Sequence, residues 1–88
     1  MTTIGFIGTG HLGSILVRKF VETGAIKAGD IYVSNRAPEK AEQLAREAGV
    51  RAGDNREVAQ SSDVIFLCVR PLDIRGVLNE IRELITPE

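Results

Sequence analysis

The sequence places three glycines, Gly8, Gly10 and Gly13, in the spacing G-x-G-x-x-G close to its N-terminus. They follow a short apolar run and lead into an amphipathic segment. Between a strand and a helix, this spacing suits a dinucleotide pyrophosphate. The first glycine permits a sharp turn, the second a close approach of the backbone to the phosphates, and the third close helix–strand packing. Free N–H groups at the helix N-terminus then face the anion. The predicted loop comprises Gly8, Thr9, Gly10, His11, Leu12 and Gly13.

The end of the second predicted strand favours a phosphorylated dinucleotide. The residues there are Ser34, Asn35 and Arg36, without a carboxylate. An Asp or Glu at this place would accept hydrogen bonds from the ribose of NAD. The Arg36 guanidinium instead offers a charged fork to a 2′-phosphate, and Ser34 and Asn35 donate hydrogen bonds. The sequence therefore predicts NADP(H) rather than NAD(H). The alternative for Arg36 is a solvent-exposed side chain ahead of a proline-initiated helix.

Two further places border the predicted cofactor. Asn55 is a favourable N-cap for a short helix that reaches Gln60, and the start of that helix is expected to face the adenosine half. Ligands of open parallel sheets bind beyond the carboxyl ends of the strands. We therefore expect the backbone of Val69 and Arg70 beside the nicotinamide ribose, with Pro71 fixing the turn. A solvated charge is the alternative for Arg70.

Residue types suited to acid–base, nucleophilic or metal chemistry are sparse. Cys68 is the only cysteine and His11 the only histidine. Cys68 falls in a predicted buried strand, without a histidine to activate it, so we interpret it as a packing residue. No carboxylate partner for His11 can be identified, and no cluster has metal-ligand spacing. We predict neither a catalytic residue nor a metal site in these 88 residues.

Composition restricts the class of protein. A chain of 88 residues forms one domain, and its net charge of −1 gives no electrostatic argument for nucleic acid or an anionic membrane. The longest apolar run, residues 64–69, is far short of the roughly 20 residues that span a bilayer. No signal peptide is evident, and a single cysteine excludes an intramolecular disulfide. These features predict a cytoplasmic domain.

Hydrophobic periodicity and turn residues predict an α/β domain of Rossmann type. Right-handed crossovers between alternating strands and helices give a doubly wound parallel sheet with strand order 3-2-1-4. The continuous apolar run at residues 64–69 predicts a strand covered on both faces. The chain ends where such a fold continues to a fifth strand. The predicted strands are residues 3–7, 31–34, 50–52 and 64–69, and the predicted helices begin near residues 12, 38, 55 and 71. The last helix is predicted to turn Ile74, Val77, Leu78, Ile81, Leu84 and Ile85 inward.

Four stretches together resemble the N-terminal domain of pyrroline-5-carboxylate reductases. They are Ile-Gly-Phe-Ile-Gly-Thr-Gly at residues 4–10, Ser-Asn-Arg at 34–36, Asn-Arg-Glu-Val at 55–58, and Ser-Asp-Val-Ile-Phe-Leu-Cys-Val-Arg-Pro at 62–71. The run at residues 66–74 looks particularly like the late competence protein branch. The resemblance covers essentially the whole chain.

The resemblance implies a function and a missing part. The family has an NADP(H)-binding Rossmann domain followed by a helical domain that builds the dimer and the substrate site. Its reaction transfers a hydride from NADPH to the C=N bond of pyrroline-5-carboxylate. The glycine loop would hold the pyrophosphate, Ser34 and Arg36 the 2′-phosphate, Asn55 the adenosine side, and Val69 with Arg70 the nicotinamide side.

The chain departs from the family at two places. The family usually has Lys where this chain has Arg70, and Asn or Gln followed by Met where it has His11 and Leu12. Two alternatives therefore stay open beside proline synthesis. One is a non-catalytic, competence-related protein that keeps the nucleotide-binding fold, and the other is a reductase of a different small carbonyl substrate.

Overall fold

The computed structural model describes residues 2–84 as four strands and four α-helices that alternate along the chain, with short 3-10 turns at Ala28–Asp30 and Arg82–Leu84. Most bounds fall within two residues of the predicted ones. The elements are β1 (Ile4–Ile7), α1 (His11–Thr23), β2 (Ile31–Ser34), α2 (Pro38–Ala48), β3 (Arg51–Ala52), α3 (Asn55–Ser61), β4 (Val64–Leu67) and α4 (Pro71–Ile81).

The four strands form one parallel sheet in the order β3-β2-β1-β4, which confirms the predicted topology. In the central strand β1, Ile4 lies opposite Ile31 of β2 and Val64 of β4. The strand ends at Ile7, Ser34 and Leu67 are aligned in the same register. The segments that follow these three ends therefore meet at one edge of the sheet.

Hydrophobic side chains cover the sheet from both sides. Phe6 points towards α1 and α2, where it packs with Val17 and Leu44. Its neighbour Ile7 points to the opposite face and packs with Val58 of α3 and Ile81 at the end of α4. This alternation follows from the two-residue period of a strand. The glycine loop after β1 is thus held between two separate cores.

The expectation that β4 is covered on both faces is wrong. In the described part of the chain β4 lies at the edge of the sheet, with β1 as its neighbour. Val64 and Phe66 are 44% and 38% exposed. Phe66 stacks on Phe6 with ring centroids 5.1 Å apart, which covers only part of its ring. The side chains of an edge strand have neighbouring strand residues on one side alone, so less of their surface is covered.

The N-cap predicted at Asn55 is also wrong. Asp54 caps α3, since its carboxylate accepts a hydrogen bond of 2.8 Å from the Glu57 N–H. Glu57 in turn accepts one of 3.0 Å from the Asp54 N–H, which completes a capping box. Asn55 is the first helical residue, and its side chain is therefore available for other contacts.

The last helix is less buried than its pattern predicts. Ile81 is buried, whereas Leu78 is 40% exposed. Ile74, Val77 and Leu84 are half-buried. Ile85, together with the predicted stop before a fifth strand at residues 86–88, lies outside the described residues. Among residues 2–84, no helix is long and apolar enough to cross a membrane.

Candidate functional site

A cleft of about 390 Å³ opens at the carboxyl ends of β1, β2 and β4. It lies where the glycine loop, the segment after β2 and the first turns of α4 meet. Many of the predicted site residues line it, and α4 supplies one wall. The lining residues are Ile7, Gly8, Gly10, Asn35, Arg36, Asn55, Cys68, Val69, Arg70, Asp73, Gly76, Val77 and Glu80.

The three glycines occupy three different environments. Gly8 has φ +87°, and a Cβ there would lie 2.9 Å from the carbonyl oxygen of Cys68. A Cβ on Gly13 would lie 2.8 Å from the Gly8 carbonyl oxygen, so α1 can approach the loop only without a side chain. A Cβ on Gly10 would meet no atom of residues 2–84 within 4 Å. Packing accounts for the first and third glycines, whereas Gly10 keeps an open place on the cleft wall.

The N-terminus of α1 offers unpaired donors beside Gly10. Within the part of the chain that the structure describes, no side chain caps this helix, and its first turn carries no acidic residue. The first N–H groups of a helix have no partner within the helix and attract anions. With Gly10 leaving the approach open, the loop has the features of an anion site. A phosphate oxygen suits these donors.

Thr9 anchors the glycine loop to the end of β2. Its side chain is buried, and its hydroxyl donates a hydrogen bond of 3.1 Å to the carbonyl oxygen of Ser34. The N–H groups of Gly8 and Thr9 donate to the same oxygen, each at 3.1 Å. The side-chain amide of Asn35 returns a bond of 3.0 Å to the Thr9 carbonyl oxygen. The loop is therefore fixed relative to the strand end.

His11 and Leu12 do not line this cleft. His11 borders a separate open depression of about 420 Å³ between α1 and α2, together with Arg18 and Lys40. Leu12 is 63% exposed. Both residues lie in the first turn of α1, so their backbone N–H groups belong to the helix N-terminus that follows Gly10. Thr9 also borders the second depression.

Ser34, the last residue of β2, and the next two residues, Asn35 and Arg36, have different surroundings. The Ser34 side chain is 1% exposed, and its hydroxyl donates a hydrogen bond of 2.6 Å to Oδ1 of Asn55. Asn35 accepts a bond of 2.9 Å from the Ala37 N–H, which shapes the turn into α2. The Arg36 side chain is 79% exposed at the mouth of the cleft. The structure brings Asn35 and Arg36 to the cleft, but not the hydroxyl of Ser34.

Asn55 joins β2 to α4 across the floor of the cleft. Its Oδ1 accepts from Ser34, and its Nδ2 donates a hydrogen bond of 2.8 Å to Oε1 of Glu80. These two hydrogen bonds, to Ser34 and to Glu80, hold the Asn55 amide in one orientation. A ligand in the cleft meets an amide of defined orientation.

The residues after β4 form the opposite wall. Val69 packs against the glycine loop, because its Cγ1 lies 2.5 Å from the place of a Cβ on Gly8. Arg70 lines the cleft, and its Nε donates a hydrogen bond of 3.0 Å to Asp73. Pro71 is exposed and begins α4, as predicted, but does not line the cleft. Cys68 is half-buried beyond the end of β4 and contributes to the lining.

Burial raises the pKa of the Cys68 thiol, so the thiol is protonated at neutral pH. Among the described residues, no group of three or more His, Cys, Asp or Glu side chains is arranged to hold a metal. The polar side chains that line the cleft are the amides of Asn35 and Asn55, the guanidinium groups of Arg36 and Arg70, the carboxylates of Asp73 and Glu80, and the Cys68 thiol.

Sequence reasoning missed the contribution of α4 to the cleft. Asp73, Gly76, Val77 and Glu80 line it. Their spacing of three, one and three residues places them on one stripe of a helix. The polar and small members of this stripe, Asp73, Gly76 and Glu80, were the available signal, and Val77 belongs both to the stripe and to the predicted apolar face.

Comparisons with known proteins show the family of this chain and proteins that share its fold. Residues 3–87 match the family described as "NADP oxidoreductase coenzyme F420-dependent". ComE operon protein 4 of Bacillus subtilis (strain 168) is 38% identical over 77 residues, which cover 85% of this chain and 28% of the relative. This match confirms the resemblance to competence proteins.

Two solved structures share the fold. A pyrroline-5-carboxylate reductase from Coxiella burnetii aligns with a TM-score of 0.91 and 30% identity, over 99% of this chain and 32% of that one. An imine reductase from Myxococcus stipitatus, in complex with NADP+, aligns with a TM-score of 0.73 and 31% identity, over 93% and 27%. This chain thus spans less than a third of the length of each of these proteins. The predicted Rossmann fold is confirmed, and the chain belongs to the NADP oxidoreductase coenzyme F420-dependent family.

Proposed function

We propose that these residues form the NADP(H)-binding domain of a reductase that acts on a C=N bond. The observation that carries the proposal is Gly10, at which a Cβ would touch no atom of the described residues, together with its place on the cleft wall at the start of α1. A ligand that approaches the backbone closely accounts for a glycine at this place, which neither turn geometry nor packing requires. The dinucleotide pyrophosphate, held by the N–H groups of α1, fits that place.

The adenosine end of the cofactor is assigned to the segment after β2. Arg36 would contact the 2′-phosphate, because its guanidinium is exposed at the mouth of the cleft and no carboxylate ends the strand. Asn35 and Asn55 supply amide groups nearby. Ser34 would act through Asn55, since its own hydroxyl is buried and donates to that amide.

The nicotinamide end is assigned to the segment after β4. The backbone of Val69 and Arg70 would border the nicotinamide ribose, as expected for a ligand at the switch between β1 and β4. When bound, NADPH supplies the hydride for reduction. We assign to this chain the role of holding the cofactor in one orientation towards a substrate, through the backbone, amide and guanidinium groups of the cleft.

The names of the relatives support a proposal for the substrate class. The aligned structures are named as a pyrroline-5-carboxylate reductase and an imine reductase, and both names denote reduction of a C=N bond. We therefore propose pyrroline-5-carboxylate or a related small imine as the substrate, bound by a helical domain that also forms a homo-oligomer. A cytoplasmic location is part of the same proposal.

A second candidate is a nucleotide-binding protein without reductase activity, because one matched relative, ComE operon protein 4, has a name that states no reductase function. An imine-reduction assay on the natural protein that contains this domain distinguishes the two candidate functions. Oxidation of NADPH on addition of pyrroline-5-carboxylate supports the reductase. NADPH binding without turnover of this or other small imines supports the second candidate. The 88 residues alone should bind NADPH without turnover.

A further inference from the structure

Asp73 lies between two arginines at the mouth of the cleft. Its Oδ2 accepts the hydrogen bond of 3.0 Å from Nε of Arg70, and its Oδ1 lies 3.5 Å from an Nη nitrogen of Arg36. The carboxylate is the least exposed of the three groups, at 25%, against 79% for Arg36 and 64% for Arg70. One carboxylate therefore balances two guanidinium groups on the cleft wall.

The pair between Asp73 and Arg36 joins opposite sides of the cleft. Arg36 follows β2, whereas Asp73 lies in the first turn of α4, after β4. In the sheet, β2 and β4 flank β1, so the ion pair passes over the end of the central strand. The contact with Arg70 is local, three residues apart on the chain, but the contact with Arg36 spans 37 residues of sequence. Local helix structure does not account for the second contact.

We infer that Asp73 limits the preference of the cleft for a 2′-phosphorylated cofactor, because its carboxylate competes with the 2′-phosphate for Arg36. The inference rests on the proposed NADP(H) function. A phosphate monoester carries a charge of about −1.5 to −2 at pH 7 and pairs strongly with a guanidinium, so it displaces a single carboxylate. NAD(H) has a free 2′-hydroxyl and therefore no anionic group at this position that competes with the Asp73 carboxylate for Arg36.

The competition predicts an unusual direction for a mutation in a binding cleft. Removal of the negative charge at Asp73 leaves Arg36 free to pair with the 2′-phosphate. NADPH should then bind more tightly relative to NADH. Since an exposed ion pair contributes modestly, we expect the ratio of the NADH to the NADPH dissociation constant to rise about two- to fivefold.

The test is a fluorescence titration of the 88-residue chain with NADPH and NADH, for the wild type, Asp73→Asn and Asp73→Ser. The serine variant keeps a polar residue in the first helical turn if the asparagine variant does not fold. Glu22→Gln is the matched control, because it changes the net charge equally at an exposed position near the end of α1. It should leave the ratio unchanged. Asp73→Asn in an Arg36→Ala background measures whether the effect passes through Arg36.

A higher ratio in the Asp73 variants, abolished when Arg36 is absent, supports the inference. A purely structural Asp73 would weaken both cofactors alike, so an unchanged or lower ratio overturns it. A rise that persists without Arg36 overturns it as well. If the wild type prefers NADPH and the Asp73 variants have the same ratio of dissociation constants as the wild type, the inference fails and the proposed function stands. If the wild type shows no preference for NADPH, the proposed function and the inference fail together.

Discussion

The hydroxyl of Ser34 donates a 2.6 Å hydrogen bond to the side-chain oxygen of Asn55. Ser34 is the last residue of β2 and Asn55 is the first residue of α3, so the bond connects the sheet to the helix that packs on the Ile7 face. Asn55 passes the connection to Glu80 on α4. The cleft floor thus depends on a chain of three polar side chains, of which Ser34 is fully buried.

Asn55→Ala should lower the free energy of unfolding by about 1–3 kcal/mol, because the buried Ser34 hydroxyl loses its acceptor. Urea unfolding measures the loss. In the double variant with Ser34→Ala the loss should be smaller than the sum of the single losses, since no unpaired group is left. Asn79→Ala, at an exposed position of α4, is the control. Equal stability of the Asn55 and Asn79 variants would contradict the role of this bond.

Gly8→Ala and Gly10→Ala should separate stability from binding. At Gly8 the positive φ and the nearby Cys68 carbonyl oxygen oppose a side chain, so the midpoint temperature of thermal unfolding should be clearly lower than in the wild type. At Gly10 the fold should lose less, because a methyl group meets no protein atom. The affinity for NADPH should nevertheless fall about tenfold or more, since the methyl group enters the place of the pyrophosphate.

Gly29→Ala is the control for the Gly10 variant. A Cβ at Gly29 also meets no protein atom, but this residue lies in the turn before β2, away from the cleft. Its affinity for NADPH should equal that of the wild type. A Gly10 variant that binds NADPH as tightly as the Gly29 variant would argue against a pyrophosphate at the loop.

Arg36→Ala should make the binding free energy of NADPH less favourable by roughly 1.5–3 kcal/mol, because a charge-assisted contact with the 2′-phosphate is lost. NADH should be affected much less. Arg46→Ala, which removes the same charge from an exposed position on α2, should change neither affinity. The comparison is made by titration of each variant with both cofactors. An unchanged affinity ratio in Arg36→Ala would assign the 2′-phosphate to other residues.

Alkylation of Cys68 should require a higher pH than alkylation of a cysteine in an unstructured peptide. The thiolate is the reactive form, and burial raises the pKa of this thiol, so its thiolate fraction at any given pH near 8 is smaller. Rates with iodoacetamide between pH 7 and pH 10 give the midpoint. Because Cys68 lines the cleft, saturating NADPH should slow the reaction further. A midpoint at or below that of the peptide would contradict the effect of burial.

Local patterns predicted the sheet order and most of the elements. The glycine spacing, the strand-length apolar run and the prolines at positions 38 and 71 act within a few residues, so their structural effect is visible in the sequence. The cap of α3 was misassigned because Asp54 and Asn55 are both favourable caps. The Asp-x-x-Glu spacing with Glu57, characteristic of a capping box, would have decided between them.

Long-range packing set the features that the sequence did not predict. Ser34 was expected to face a ligand, but the alternation along β2 and the contact with Asn55 bury its hydroxyl. Asp73 was not singled out, because its partner Arg36 is distant in sequence and the two meet only through the parallel order of the strands. The exposure of Phe66 likewise depends on the position of β4 in the sheet.

The central claim is that this cleft binds a 2′-phosphorylated dinucleotide. Isothermal titration calorimetry of the 88-residue chain with NADPH, and then with NADH in the same buffer, tests it most directly. We predict saturable binding of NADPH at one site per chain, with an affinity about tenfold or more above that for NADH, as expected for a charge-assisted contact. Equal affinities for the two cofactors, or no saturable binding of NADPH, would contradict the account.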